Sequence, residues 1–408
     1  MKINKWDALW VHARIDGVDD AALAVQDGNI AWVGDYNELP GEPDELAKCV
    51  HNVSGCCITP GFIDCHTHLV YAGNRAHEFE KRLNGATYEE IAREGGGIQS
   101  TVTATRAASE EELFEQSLPR AMALQSSGVT TLEIKSGYGL DWQTESKMLR
   151  VAKRIGEALP LTVKRTFLGA HTIPLEYRGK AQDYIDLVCQ EMIPKVAEEK
   201  LADAVDVFCE SIAFNVAQTE QVFIAAKKYN LAVKCHGEQL TCSDSAVLAA
   251  THQALSVDHL EHASPAGIRA MAKAGLTAVI LPGAYYFLRE TKQPPITLIR
   301  ELGLPMALAS DCNPGTSPIM SLLTIMNMAC TLFRLTPVEV LQGVTINAAK
   351  ALGMSVTHGS LNVGKVADFA VWRVTTPAEL CYYLGNQPLV SLYKTGVEIK
   401  HEQLFTGN

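Results

Sequence analysis

Eight short apolar runs, each followed by a stretch with helical patterning, constrain this chain more than any other feature of its sequence. They are residues 60–68 (PGFIDCHTH), 129–135 (VTTLEIK), 161–171 (LTVKRTFLGAH), 204–210 (AVDVFCE), 231–239 (LAVKCHGEQ), 255–262 (LSVDHLEH), 276–282 (LTAVILP) and 305–313 (PMALASDCN). Strands buried on both faces read as unbroken apolar runs, and parallel strands need crossover connections, usually helical. The alternation therefore predicts an α/β fold, a (β/α)8 TIM-type barrel, with a doubly wound sheet as the alternative. Helix boundaries carry their own signals. Thr87-x-x-Glu90 and Ser109-x-x-Glu112 fit a reciprocal capping box, and Ser264-Pro265 and Thr336-Pro337 put proline at the first helical position. Gly128 stands where a left-handed cap should end the helix that starts at Ser109.

The two ends of the chain are patterned differently. ALWVHARI and AALAVQDGNIAWVGD, the latter with an Asp27-Gly28 turn signal, resemble in pattern VADFAVWRV and LVSLYKTGVEI near the other end. Termini often lie close together, so residues 1–57 and 358–408 are expected to form one composite β-sandwich domain, leaving 58–357 for the barrel. With 47% hydrophobic and 20% charged residues, intrinsic disorder is excluded. A net charge of −11 leaves no basic stripe for nucleic acid. The eleven cysteines are scattered without a CxxC pair, as expected of reduced, buried thiols in a cytoplasmic protein. The start, MKINKWDALWVHARID, lacks the apolar run of a signal peptide. The longest uncharged stretch, 312–333, contains Pro314, Gly315 and Pro318 and reads as a loop and a core helix, so no membrane span is expected.

Polar residues collect at one end of the proposed strands. His66, His68, His171, His236, His259 and His262 all fall there, with Asp311, Glu210, Glu238 and Gln239. In a barrel these ends open on one face, where active sites are built. His66 and His68 are spaced so that both imidazoles point to the same side of a strand. Together with His236 and the buried acid Asp311 they make a nitrogen/oxygen donor set suited to zinc, iron or manganese rather than calcium or magnesium. Ligand type does not choose between zinc and iron. Gly95-Gly96-Gly97 lacks the frame of a phosphate loop and is expected to end a helix and loosen a loop near the site mouth.

PGFIDCHTH, the histidines after strands five and six, Ser310-Asp311 after strand eight, and GSLNVGKVADFAVW together resemble the metal-dependent amidohydrolase superfamily. The segments YAGNRAHEFEKR, LEIKSGYGL, FLGAHTIP, LPGAYYFL and DCNPGTSP narrow the likeness to a branch that opens a flat cyclic amide in histidine degradation. The resemblance implies a β-sandwich from both ends and one metal ion, Zn2+ or Fe, held by His66, His68, His236 and Asp311. Two-metal members carry a bridging carboxylated lysine on strand four, which AVDVFCE lacks, so a single ion is expected. Lys135 and Lys164 are expected to be structural or salt-bridged.

The implied substrate is 4-imidazolone-5-propanoate, a small molecule with a carboxylate tail, opened by water to N-formimidoyl-L-glutamate. A cation acidifies a bound water, Asp311 shuttles its proton to the departing nitrogen, and His259 donates to the oxyanion or orients the water. Arg75 is expected to grip the propionate, Tyr138 and His171 to contact the ring, and Asn313, Gly315 and Thr316 to meet carboxylate oxygens. Gln239 stands where some members have glutamate. It hydrogen-bonds ring or water without accepting a proton, which shifts proton transfer to Asp311 and His259. Glu238 is expected behind the site and His262 in the following turn.

The alternatives are another cyclic amide hydrolase or a guanine deaminase-like aminohydrolase on the same scaffold, and a catalytically silent assembly subunit, disfavoured because all four metal ligands are present. A homodimer is common among such barrels, but the sequence carries no interface signal.

Overall fold

The structure is a computed structural model that describes residues 5–86, 90 and 95–400. The capping box expected from Thr87 falls outside them. The chain opens with β1 (Ala8–Ile15), β2 (Val18–Gln26), β3 (Asn29–Asp35), β4 (Val50–Asn52) and β5 (Cys57–Pro60). Next come β6 (Phe62–Asp64), β7 (Val129–Lys135), β8 (Thr162–Ala170), β9 (Ala204–Cys209) and the short β10 (Ala232–Val233). They are followed by β11 (Cys235–Gly237), β12 (Ser256–His259), β13 (Thr277–Ile280) and β14 (Met306–Leu308). The chain returns through β15 (Phe369–Trp372), β16 (Leu389–Lys394) and β17 (Val397–Glu398).

The parallel strands pair in the order β14-β13-β12-β11-β9-β8-β7-β6, with β10 beside β9. Helices join consecutive members, as the alternation of runs predicts. The ring closes through the segments that follow β6 and β14. Thr67 bridges Cys312, Asp311 N–H donates to His66 O at 3.0 Å, and His68 N–H donates to Cys312 O at 2.9 Å. The apolar runs 60–68 and 305–313 thus outlast their strands. Their far ends are buried loop, and in the second run Asp311 (φ 51°) turns the chain out of the ladder.

Ser109 and Glu112 form the expected capping box, Pro265 and Pro337 stand in the first turns of their helices, and Thr336 with Glu339 adds a further capping box. Gly97 (φ 78°) begins the helix Ile98–Ala107.

Both chain ends build one mixed sheet, β17-β16-β15-β5-β1-β2-β3, with β4 added on β1. A single residue pair, Arg14 with Cys57, joins β1 to β5, and there the sheet folds over itself. Trp10 on β1 meets Phe369 on β15 edge-on at 4.8 Å and Tyr393 on β16 at 5.0 Å. In a flat sheet β15 and β16, two and three steps from β1, would stand about 10 and 14 Å from it, so these contacts require two facing layers. The Asp27-Gly28 turn has φ of 50° and 74°, as a tight hairpin demands. This sheet docks under the barrel through Trp372, which stacks on Phe62 at 5.1 Å and donates to Thr59 Oγ1 at 2.8 Å. Gly128 (φ 91°) is needed twice: it takes the left-handed cap position, and a Cβ there would collide with the Trp372 ring. Among the described residues no helix is long and apolar enough to cross a membrane.

Candidate metal centre and active site

Four side chains converge where the barrel closes. His68 Nε2 lies 3.2 Å from His66 Nε2 and 3.2 Å from His236 Nε2. Asp311 Oδ1 lies 3.4 Å from both His66 Nε2 and His68 Nε2. All four residues are almost wholly buried. Donors at about 2.1 Å from a tetrahedral ion stand about 3.4 Å from one another, so the cage has the size that zinc or a similar ion needs. Burial, reinforced by one another and by Lys135, holds His66 and His68 well below the ordinary imidazole range, which keeps them neutral and able to ligate. Burial also drives the Asp311 carboxyl well above its ordinary range. Neutral nitrogens packed lone pair to lone pair around such an acid call for a cation.

Beneath the cage lies a charged layer that orients it. His66 Nδ1 donates to Asp258 Oδ2 at 2.6 Å. His236 Nδ1 lies 2.8 Å from Asp206 Oδ2, too oblique for a straight hydrogen bond. A carboxylate on Nδ1 fixes the tautomer that leaves Nε2 bare for a metal. These acids are held in turn by ammonium groups. Lys135 Nζ sits 2.7 Å from Asp206 and 3.0 Å from Glu133. Lys234 Nζ sits 2.7 Å from Glu133 and donates to Cys65 O at 2.9 Å. Although burial opposes it, this charge pairing keeps Asp206 well below the usual carboxylate range and Lys135 above its own. His66, Glu133 and Asp258 also cluster closely enough to suggest a second ion. The oxygens of Glu133 and Asp258 already face the two ammonium groups.

Around the cage stand the groups expected to meet a substrate. His171 stacks on His68 at 5.2 Å, and its Nδ1 donates to Gly137 O at 3.0 Å. Burial and His236 push its pKa down to about 4, so the ring is neutral with Nε2 free to accept. Tyr138 is buried 5.5 Å from His171, ring to ring, and burial raises its hydroxyl well above the usual range, leaving it a donor. Arg75 gives its Nε (2.9 Å) and Nη2 (2.8 Å) to Glu78, which also accepts from Ser100 and Gly97. Among the described residues no hydrogen bond or ion pair engages Nη1, which packs so tightly on Gly315 that a Cβ there would clash with it.

Asn313, Gly315 and Thr316 reach the same place, but the structure engages them with one another. Asn313 Oδ1 accepts from the Gly315 and Thr316 amides at 2.8 and 2.7 Å, while Nδ2 donates to Asp311 O and Thr316 Oγ1. This closed turn shapes the floor under Arg75. The backbone amides of Gly315 and Thr316 donate inside it.

Gln239 is buried at the rim, its backbone held by Glu210, which accepts from the amides of Gln239 and Leu240 at 2.7 and 2.9 Å. Glu238 turns away to Ser243, Ser245 and Ala246. His259 sits against the cage, ring centroids 5.9 Å from His66 and 5.6 Å from His236, and burial holds it neutral. His262 lies outside, with Lys292 at 3.3 Å. Lys164 pairs with Asp203 at 3.2 Å, away from the cage.

The amidohydrolase family profile matches residues 57–399. Proteins named imidazolonepropionase are 57% identical over 403 residues in Cupriavidus necator (97% of this chain, 96% of that protein) and 58% over 401 residues in Cupriavidus pinatubonensis (97% and 94%). The Colwellia psychrerythraea protein of that name is 53% identical over 410 residues (97% of each). The chain belongs to the amidohydrolases, and among them to the imidazolonepropionase family. Solved structures share the amidohydrolase fold at low identity. A triazine hydrolase variant superimposes with a TM-score of 0.75 at 17% identity (97% and 95% covered). A 5-methylcytosine deaminase from Klebsiella pneumoniae does so with 0.73 at 16% (96% and 97%). What the sequence of this imidazolonepropionase-family chain did not disclose is the layer of Glu133, Asp206, Lys234 and Asp258. Its trace was there as charged residues inside otherwise apolar runs.

Proposed function

We propose that this chain opens the ring of 4-imidazolone-5-propanoate with water to give N-formimidoyl-L-glutamate, as a cytoplasmic hydrolase. His66, His68, His236 and Asp311 hold one ion in this reading, zinc or iron, in the barrel of residues 58–357, and the composite sheet of 1–57 and 358–408 braces it. When bound, that ion supplies Lewis acidity and makes a water more acidic near neutral pH.

The chain's own groups do the rest. Arg75, clamped by Glu78, offers its free edge to the propionate and so fixes which end of the ring enters. His171 Nε2 accepts from a ring N–H, Tyr138 donates from one flank, and Gln239 hydrogen-bonds from the rim. Water oxygen joins the ring carbonyl carbon and the C–N bond breaks. Asp311 takes a proton from the water and returns it to the departing nitrogen, and His259 donates to the oxygen as charge gathers there.

The observation that carries this reading is the convergence of His66, His68 and His236, whose Nε2 atoms stand 3.2 Å from one to the next, with Asp311 Oδ1 3.4 Å from His66 and His68. The test is the loss of substrate absorbance with freshly generated imidazolonepropanoate and metal-analysed protein. Steady turnover supports the proposal, and none from metal-replete protein refutes it. Guanine turned over instead, with Arg75→Ala indifferent, would favour a tail-less ring.

A further inference from the structure

Two buried polar atoms at the rim of the cage face one another without a hydrogen-bond partner. They are His259 Nδ1 and Glu261 Oε2, 4.0 Å apart, and both residues are only 3% exposed. The backbone brings them together. His259 (φ 89°) and Leu260 (φ 74°) are consecutive residues with side chains in the left-handed region, a conformation kept only where the surroundings enforce it. The chain doubles back there and sets residue 261 beside the ring of 259.

We propose that Glu261 is a positioning residue for His259: its protonated carboxyl donates to Nδ1 and so keeps the ring's single proton on Nε2, facing the oxygen that becomes negative. The same ring is thereby used in opposite tautomers. His66 and His236 have carboxylates on Nδ1, with Lys135 and Lys234 beside them, and present a bare Nε2. Among the described residues Glu261 forms no ion pair with lysine or arginine. Burial raises its pKa to about 8, and the charged groups that face it, Glu290, Asp311 and Glu210, act in the same direction.

This inference rests on the hydrolytic reading of the site, but its first test does not. In protein labelled with 15N-histidine, the His259 ring at neutral pH should carry its proton on Nε2. A proton on Nδ1 overturns the proposal, whatever ring the site accepts. Glu261→Gln keeps a donor on Nδ1, so the tautomer and most of kcat should survive. Glu261→Leu should lower kcat by roughly 100-fold with KM nearly unchanged. The alkaline fall in kcat that accompanies ionisation of Glu261 in the unaltered protein should vanish in Glu261→Gln. Equal damage by both substitutions, or an unchanged alkaline limb, overturns the proposal. If Glu261→Leu does not fold, the tautomer in the unaltered protein and in Glu261→Gln decides. If imidazolonepropanoate is not turned over at all, the functional reading fails while the tautomer result stands.

Discussion

Asp258→Ala should weaken metal binding without touching a ligand. Asp258 Oδ2 takes the Nδ1 proton of His66 at 2.6 Å, and its other oxygen accepts from Ser256 at 2.5 Å. Without that carboxylate, His66 no longer has its proton fixed on Nδ1, so part of the population presents a protonated Nε2 to the ion. The remaining tautomer is also a weaker base. Loss of a carboxylate behind a metal-bound histidine lowers affinity about 10- to 100-fold, or about 1.4–2.7 kcal/mol. Asp258→Asn keeps an acceptor but not the charge, so it should fall between. The assay is chelator competition for zinc at fixed pH, on metal-stripped proteins whose circular dichroism matches that of the unaltered chain. An unchanged dissociation constant in Asp258→Ala would refute the reasoning that this layer tunes the cage.

Two further outcomes follow from the structure. If Arg75 grips the propionate as proposed, Arg75→Ala removes two charge-assisted hydrogen bonds to the substrate, worth about 3 kcal/mol together, so kcat/KM should drop about 100-fold, mostly through KM. Arg75→Lys should not restore it, because a lysine cannot both engage Glu78 and present a planar edge, and steady-state kinetics check both. Glu339, whose pKa Arg300 and the Thr336 cap lower to about 2, stabilises the fold above its ordinary carboxylate range, and that contribution is lost as pH falls through about 2. Acid unfolding should show Glu339→Ala about 1 kcal/mol less stable at neutral pH, the difference shrinking as the acid is titrated.

The barrel was legible because its strands are buried on both faces. The run 129–135 is β7 residue for residue, and 204–210 and 276–282 fall within a residue or two of β9 and β13. The cage was legible for a related reason, since strand ends on one face bring distant histidines together. The layer beneath it was harder to read. Lys234 precedes His236 by two residues, so period-two alternation does point it inward, yet nothing local says which acid it meets. Asp258 and His259 defeat the alternation altogether. Neighbours on a strand should face opposite sides, and only the left-handed turn at His259 lets both bear on the same cage. The hydrogen bonds inside the Asn313 turn are equally hidden from the sequence. Its polar groups look available in sequence, but a side chain that reaches two residues along its own backbone consumes them.

X-ray absorption on the purified protein tests the shared cage most directly. Three imidazoles and one carboxylate around one ion per chain, with nitrogen and oxygen neighbours at about 2.0–2.2 Å, is the predicted result. A sulfur neighbour at about 2.3 Å, or a metal–metal vector from a second ion, would contradict it.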